Sequence, residues 1–211
     1  MAAAPPPSDI PNVFGMNEPQ HMLTKLYVEI WDLSASLSVW TKSESFPRPL
    51  FIAWNTAVTA WHIADWLWSS KQTTRDKLSK KFRFEYNEAT ISGREKGLEK
   101  FQTAVRAACR ELHICREICN ASKHMRLKSN DPDIKVEIEW HEAKEAVGEV
   151  KVGDLIMNML VHDKGTKTDA QLIFINAAGY WENLLKNEGF ISKEAKLPQK
   201  VIPANQAAAA G

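Results

Sequence analysis

The chain has 211 residues, enough for one substantial domain with a hydrophobic core of its own. Its content of 44% hydrophobic and 25% charged residues is that of a globular protein and excludes a largely disordered chain. A formal net charge of +1 excludes a global field that would steer the whole protein to nucleic acid or to a membrane, so any basic site has to be local.

The sequence predicts one domain with an extension at each end. Residues 1–16, rich in proline and alanine, are expected to form a flexible arm, and residues 191–211 a flexible tail. Residues 17–190 are expected to form a single α+β domain, with a helical bundle over 17–126 and a β-meander plus a helix over 134–190.

The helices of the bundle are predicted from apolar residues that recur at helical spacing, over about 18–40, 49–69, 75–81, 94–109 and 111–125. The helix over 49–69 is apolar nearly all round, which is typical of a central helix, and we expect it to pack against the helix over 111–125. Its residues Trp54, Trp61 and Trp68 recur every seven positions. We interpret them as core packing, with a ligand platform as the alternative.

The pattern changes after Asn130-Asp131-Pro132. Residues 135–140 alternate, with Val136, Ile138 and Trp140 on one side, as in a half-buried strand. Further strands are predicted over 155–161 and 171–175, joined by a turn over 162–166, and a last helix over about 177–187 ends at Gly189. The predicted fold is therefore α+β: a helical bundle, then a small antiparallel β-meander, then a C-terminal helix.

The cysteines and the termini favour a cytoplasmic protein with no membrane association. Cys109, Cys115 and Cys119 are odd in number and clustered, which is a poor disulfide framework, and we interpret them as small buried residues. The opening segment MAAAPPPSDIP lacks the basic and apolar regions of a signal peptide. No uninterrupted apolar run is long enough to cross a membrane.

One polar group interrupts the apolar helix over 49–69. Asn55 and His62 are seven residues apart and therefore point the same way, and Asp65 lies nearly one turn beyond His62. Because burying an unpaired carboxylate is costly, we expect Asp65 to be buried and bonded, either to His62 or to a group of the helix over 111–125. The three residues are predicted to be a supporting polar network, with a role in lining a site as the alternative.

A second polar group, which we call the basic stripe, lies in the helix over 111–125. Arg116, Asn120 and His124 follow one another at intervals of four residues, and Lys123 and His113 fall on the same side. The alternative is the solvated face of an amphipathic helix. The composition of the stripe favours a functional site over a merely solvated face, because arginine and lysine neutralise phosphate and histidine transfers protons near neutral pH.

The segment Asn120-Ala121-Ser122-Lys123-His124 resembles the second half of the motif of the HEPN family (higher eukaryotes and prokaryotes nucleotide-binding). In that motif four to six residues lie between an arginine and a histidine. Here seven residues separate Arg116 from His124, and Cys119 stands where the family often has its arginine. The resemblance covers residues 18–126 and leaves the β-meander as an addition. Because of these two differences from the motif, a family member that binds its ligand without catalysis is an alternative.

The resemblance implies a small helical bundle that binds or cleaves RNA without a metal or cofactor, in a toxin–antitoxin or phage-defence system. His124 would be the acid and base, Arg116 would stabilise charge on the phosphate, and Asn120 would orient the phosphate or His124. Lys123 and His113 would bind substrate, with Lys123 also able to take the role of Arg116. Family members usually form homodimers in which two such stripes make one cleft, so a homodimer is expected.

Two other functions stay open. Two histidines and a carboxylate suit zinc or iron, so His62, Asp65 and His124 are an alternative metal site if their helices face each other. A non-catalytic interaction module, such as an antitoxin-like or immunity-like protein with a cognate partner, is the other alternative. The sequence contains no glycine-rich phosphate loop and no dinucleotide fingerprint.

Overall fold

A computed structural model describes residues 18–37, 48–124, 131–145, 151–153, 155–195 and 197–198 of the chain. Within them lie six helices and one three-stranded antiparallel sheet, which confirms the predicted α+β fold. The elements are α1 (Pro19–Leu37), α2 (Arg48–Ser69), α3 (Gln72–Phe82), α4 (Ile91–Ala108), α5 (Arg110–His124), β1 (Lys135–Glu142), β2 (Leu155–Asp163), β3 (Thr166–Asp169) and α6 (Ala170–Asn187).

Helix α2 occupies the middle of the bundle, as its apolar character predicts. It packs against α1, α4, α5 and α6, and the predicted contact between α2 and α5 is confirmed. Trp61 and Trp68 are buried, and the Trp68 Nε1 atom donates a hydrogen bond to the Arg94 carbonyl at 2.8 Å. Trp54 is 39% exposed. The core interpretation is therefore confirmed for two of the three tryptophans.

The third strand and the last helix differ from the sequence prediction. Residues 171–175, predicted as a strand, lie inside α6, and the third strand is β3. The side chain of Asp169 caps α6 by accepting a hydrogen bond from the Gln171 amide at 2.7 Å, so the helix starts seven residues earlier than the predicted 177. Lys164 and Gly165, both with positive φ, form the tight turn that leads into β3.

The buried residues of α6 also explain why the strand prediction failed. They recur at helical rather than alternating intervals: Ala170, Gln171, Ile173, Phe174, Ala177, Ala178, Trp181, Leu184 and Leu185. The short run 171–175 is apolar at almost every position, and such a run fits a buried strand and a buried helix equally well.

The sheet has the order β1-β2-β3, and β2 is its buried strand. Ile138 of β1 lies opposite Met159 of β2, and Trp140 lies opposite Met157, so these four side chains share one face. The two methionines are buried under α1 and α6, whereas Ile138 and Trp140 are exposed. Among the described elements β1 contacts β2 alone, so the prediction of a half-buried first strand is wrong because β1 extends beyond the helices.

The predicted boundaries of the domain need one change. Ile191 is buried in the core, and Leu197 packs against it, so the described beginning of the predicted 191–211 tail belongs to the domain. The predicted arm, residues 1–16, and residues 199–211 lie outside the described residues. Among the described helices, none combines the length and the apolar character needed to cross a membrane.

Helix α6 holds the core together, which gives a prediction for Trp181. This indole is fully buried and donates a hydrogen bond from Nε1 to the Ala60 carbonyl of α2 at 2.8 Å. Trp181→Ala should lower the free energy of unfolding by ~3–5 kcal/mol, because it leaves a cavity and removes this bond. Trp54→Ala, at a partly exposed position on α2, is the matched control and should cost clearly less than Trp181→Ala, because less apolar surface is buried there and no indole hydrogen bond to a distant helix is removed. Equal losses for the two variants in urea unfolding would contradict this role.

Candidate nucleic-acid interface

The basic stripe lies on the least buried side of α5. Leu112, Cys115 and Cys119 are buried and attach the helix to the core, whereas Arg116 and Asn120 are half-buried on its other side. Lys123 and His124 complete α5 at its C-terminal end, but their side chains lie outside the described part of the structure. The backbone of α5 thus places Arg116, Asn120 and His124 at successive turns, as the spacing predicts.

His113, the remaining member of the stripe, contacts Asp131. Its Nε2 atom lies 3.1 Å from Asp131 Oδ2. Arg110 binds the same carboxyl oxygen at 2.8 Å and donates to both carboxyl oxygens of Asp163, at 2.9 and 2.5 Å. We call these four residues the Arg110 cluster. It joins the start of α5 to the end of β2 and to the segment before β1, so His113 has a structural role that the sequence did not suggest.

Arg116 is bound to a buried carboxylate. Glu117 is only 1% exposed, and its Oε1 atom accepts a hydrogen bond from Arg116 Nη1 at 2.5 Å. The Arg116 side chain is 23% exposed. A guanidinium has five N–H donors, so a single carboxylate contact leaves others that can face solvent or a ligand. Glu117 therefore holds the charged group of Arg116 in one position, unlike the charged group of a freely moving surface arginine.

Arg106 of α4 is a residue that the sequence analysis missed. It is half-buried, and its Nη2 atom donates to Thr103 Oγ1 at 3.2 Å. Burial lowers the pKa of Arg106, and the positive charge of Arg116 lowers it further. The negative charge of Glu117 acts in the opposite direction and raises it. Both of these charged neighbours lie on α5, so the packing of α4 against α5 places Arg106 in the field of Arg116 and Glu117. Residue spacing does not reveal this proximity of Arg106 to α5, because a break at Cys109 separates the two helices and the angle between them cannot be read from the sequence.

Two members of the second polar group on α2, His62 and Asp65, contact neighbouring helices. The Nε2 atom of His62 lies 3.9 Å from the Cys119 Sγ atom of α5 and 4.0 Å from Asp65 Oδ2. Asp65 Oδ1 accepts a hydrogen bond from Gln102 Nε2 of α4 at 2.7 Å. Asn55 is exposed on the outer side of α2. His62 and Asp65 therefore form part of a supporting polar network, in which α4 supplies a partner for Asp65, whereas Asn55 takes no part in these contacts.

The prediction that Asp65 is buried is wrong. Its side chain is 36% exposed, because Asp65 lies on the outer side of α2 where α4 covers it only in part. At this position the Asp65 carboxylate is open to solvent and also accepts a hydrogen bond from Gln102. Its charge therefore avoids the cost of full burial.

Cys119, His62 and Asp65 do not have the geometry of a nucleophilic triad. In a triad the nucleophile and the carboxylate bind different nitrogens of the imidazole ring. Here the thiol and the carboxylate both approach Nε2, and Cys119 is buried. Among the described side chains no group of three histidine, cysteine or acidic residues is placed to hold a metal ion. The alternative metal site also needs His124, whose side chain lies outside the described residues.

Comparisons of the chain with protein-family models, with curated proteins and with solved structures give no match. The chemistry of the site therefore follows from its own residues. Arginine and amide side chains held on one face can bind an oxyanion in a defined orientation, because their donors are directional.

The Arg110 cluster predicts a pH-dependent stability. The Arg110 guanidinium lowers the pKa of Asp131 and of Asp163. A carboxyl group with a lowered pKa in the folded state contributes its full stability above the unfolded pKa of about 4, and this contribution is lost as the pH falls through the folded pKa. Arg110→Met should therefore lower the free energy of unfolding by ~1–2 kcal/mol at neutral pH, discounted for partial exposure of the cluster.

The difference between Arg110→Met and the wild-type protein should start to shrink as the pH falls below about 4. It should vanish as the pH passes through the lowered folded pKa of Asp131 and Asp163, where both carboxyl groups become protonated. Urea unfolding at neutral and at acid pH measures this difference. Lys193→Met, at an exposed position after α6, is the control for loss of a positive charge. A difference that stays constant with pH would show that Arg110 acts through packing rather than through the two carboxylates.

Proposed function

We propose that the protein binds RNA through the basic stripe of α5 and cleaves it without a metal ion, as a HEPN-like ribonuclease. The observation that carries the proposal is the placement of Arg116 and Asn120 one turn apart on the less buried side of α5, where Glu117 holds the arginine in position. A fixed guanidinium beside an amide is suited to binding the non-bridging oxygens of a phosphodiester.

In the proposed reaction, His124 removes the proton from a ribose 2′-hydroxyl. The 2′-oxygen attacks the adjacent phosphorus, the bond from phosphorus to the 5′-oxygen breaks, and a proton is returned to that leaving oxygen. Arg116 stabilises the charge that develops on the phosphate oxygens, and Asn120 orients the phosphate or His124. Lys123 is the alternative to Arg116 in this role.

The proposal includes a homodimer, because the resembled family builds one cleft from two stripes. It places the protein in the cytoplasm, which the odd number and clustering of the cysteines favour. A place in a toxin–antitoxin or phage-defence system follows from the same resemblance, and such a system implies a cognate protein partner. Neither the stripe nor the proposed reaction calls for a cofactor.

A non-catalytic interaction module is the second candidate function. It is favoured by exposed apolar side chains on two elements of the fold: Trp31 of α1 is 57% exposed, and Ile138 of β1 is exposed beside the free edge of the described sheet. Side chains of this kind are more frequent at protein interfaces than elsewhere on a surface. Failure of the wild-type protein to bind RNA would favour this function over the first.

The role of His124 gives the decisive test. His124→Ala should reduce cleavage of single-stranded RNA by ~10²–10⁴-fold, because proton transfer by a positioned side chain typically contributes that much to the rate. The assay uses purified protein in a buffer that contains a chelator, and cleavage by the wild-type protein should persist there. His141→Ala, which removes an exposed histidine of β1, is the control and should retain full activity.

Arg116→Ala and Lys123→Ala distinguish two versions of the mechanism. A larger loss of turnover in Arg116→Ala assigns the phosphate charge to Arg116, and a larger loss in Lys123→Ala assigns it to Lys123. Cleavage that disappears in chelator would reject the metal-independent mechanism. If the wild-type protein neither binds nor cleaves RNA, the ribonuclease function is wrong.

A further inference from the structure

Strand β1 forms an open edge of the described sheet. Within the described residues the strand order is β1-β2-β3, so β1 pairs with β2 on one side only. In an antiparallel ladder every second residue directs its N–H and C=O groups to a given neighbour, so alternate residues of β1 direct theirs away from β2. An edge of this kind, eight residues long, is a template onto which another strand can pair.

The side chains of β1 give this edge an apolar face. Val136 is 41% exposed and Ile138 is 38% exposed, although their partners Val161 and Met159 on β2 are buried. The difference arises because α1 and α6 contact β2, whereas β1 contacts no described element other than β2. A further strand beside β1 would bury Val136 and Ile138 against its own apolar side chains and continue the inner face of the sheet.

The opposite face of β1 is charged, with Lys135, Glu137 and Glu139 at alternate positions. Glu137 has two partners in its own chain, since His162 Nε2 lies 2.5 Å and Lys167 Nζ lies 3.4 Å from its Oε2 atom. Lys167 also binds Glu139. Lys135 is exposed and forms no ion pair with any residue that the structure describes. A strand beside β1 would therefore fit best if it placed a carboxylate opposite Lys135.

We propose that β1 pairs with β1 of a second copy of this chain, antiparallel and centred on Glu137, so that two three-stranded sheets become one sheet of six strands. In this register Lys135 of each copy lies opposite Glu139 of the other, and Val136 lies opposite Ile138. Opposite charges are thus paired twice on one face, and apolar side chains are paired twice on the other. The one like-charge contact, between the two copies of Glu137, is offset by the two partners of that carboxylate in each chain.

The same residues disfavour the neighbouring registers. A pair centred on Ile138 would place Glu137 of each copy opposite Glu139 of the other, so like charges would be opposed twice. A pair centred on Glu139 would place Val136 opposite Glu142 and would bring a charge against an apolar side chain. Intermediate registers would bring the apolar face of one strand to the charged face of the other. The interface uses no residue of the basic stripe, so the inference does not depend on the proposed ribonuclease function.

Ile138→Lys tests the apolar side of the interface, because a lysine on an edge strand opposes pairing with another strand. Ile91→Lys is the matched control: it places the same charge at an isoleucine that is 70% exposed at the start of α4. Sedimentation velocity over a range of protein concentrations should show a dimer for the wild-type protein and for the control. The dissociation constant of the Ile138→Lys dimer should be at least about tenfold higher.

A charge exchange tests the register. Lys135→Glu and Glu139→Lys should each weaken the dimer roughly three- to tenfold, because each replaces two pairs of opposite charges by two pairs of like charges. The double variant Lys135→Glu/Glu139→Lys restores opposite charges across the interface and should recover most of the lost affinity. The two positions are about 14 Å apart along one strand, too far to pair within a copy, so recovery reports a contact between copies.

Glu137→Cys gives a check that does not depend on affinity. At the centre of the register the two new thiols face each other, and mild oxidation should join the copies by a disulfide, which a non-reducing gel detects. His141→Cys, on the same face of β1 but not opposite itself, is the control and should not join them. Far-UV circular dichroism checks that each variant is folded, and if Ile138→Lys does not fold, the cross-link decides.

The outcomes separate this interface from the ribonuclease function. A wild-type protein that stays monomeric, or a dimer that Ile138→Lys leaves intact, makes the inference wrong and leaves the edge to a strand of another protein. RNA cleavage by a wild-type protein whose dimer survives Ile138→Lys would contradict the interface and leave the proposed function standing. A dimer that forms through β1 in a protein that neither binds nor cleaves RNA would support the interface and reject the proposed function.

Discussion

The packing of α6 against the other helices and the sheet is the constraint on which the rest of the structure depends. This helix contacts α1, α2, α5 and two strands, so one element closes both the bundle and the inner face of the sheet. Its indole at Trp181 donates to the carbonyl of Ala60, 121 residues earlier in the chain, and Tyr27 donates to Glu182 across 155 residues. Because these contacts join distant parts of the sequence, loop-closure entropy must be lost before they form, and the fold depends on α6 being in place.

The position of α5 follows from that constraint and explains the character of its polar side chains. The helix is held between α2, α4 and α6, so most of its surface is buried and little of it can be solvated. Its charged residues are therefore fixed by partners: Arg110 by two aspartates at one end, and Arg116 by Glu117 farther along. Charges held in this way cost little further ordering when they bind a ligand, which favours tight and oriented binding.

The sequence was sufficient for features that depend on local periodicity and insufficient for those that depend on how elements meet. The central position of α2 follows from its apolar surface, and the end of α6 near Gly189, which has positive φ, follows from its turn chemistry. Residues 171–175 were assigned to the wrong element because an apolar run has no readable period. Arg106 was missed for a different reason: its neighbours belong to another helix, and only the angle at Cys109 brings them together.

The three cysteines have a consequence for measuring the motion of this protein. All three are buried and form no disulfide within the part of the chain that the structure describes, and they lie within α5 or directly before it. Burial raises the pKa of Cys109 to about 12 and raises that of Cys115 as well. Since the thiolate is the species that reacts with alkylating reagents, modification requires α5 to separate from its neighbours. The rate of alkylation in the native protein is thus a built-in measure of how often the helix that carries the basic stripe opens.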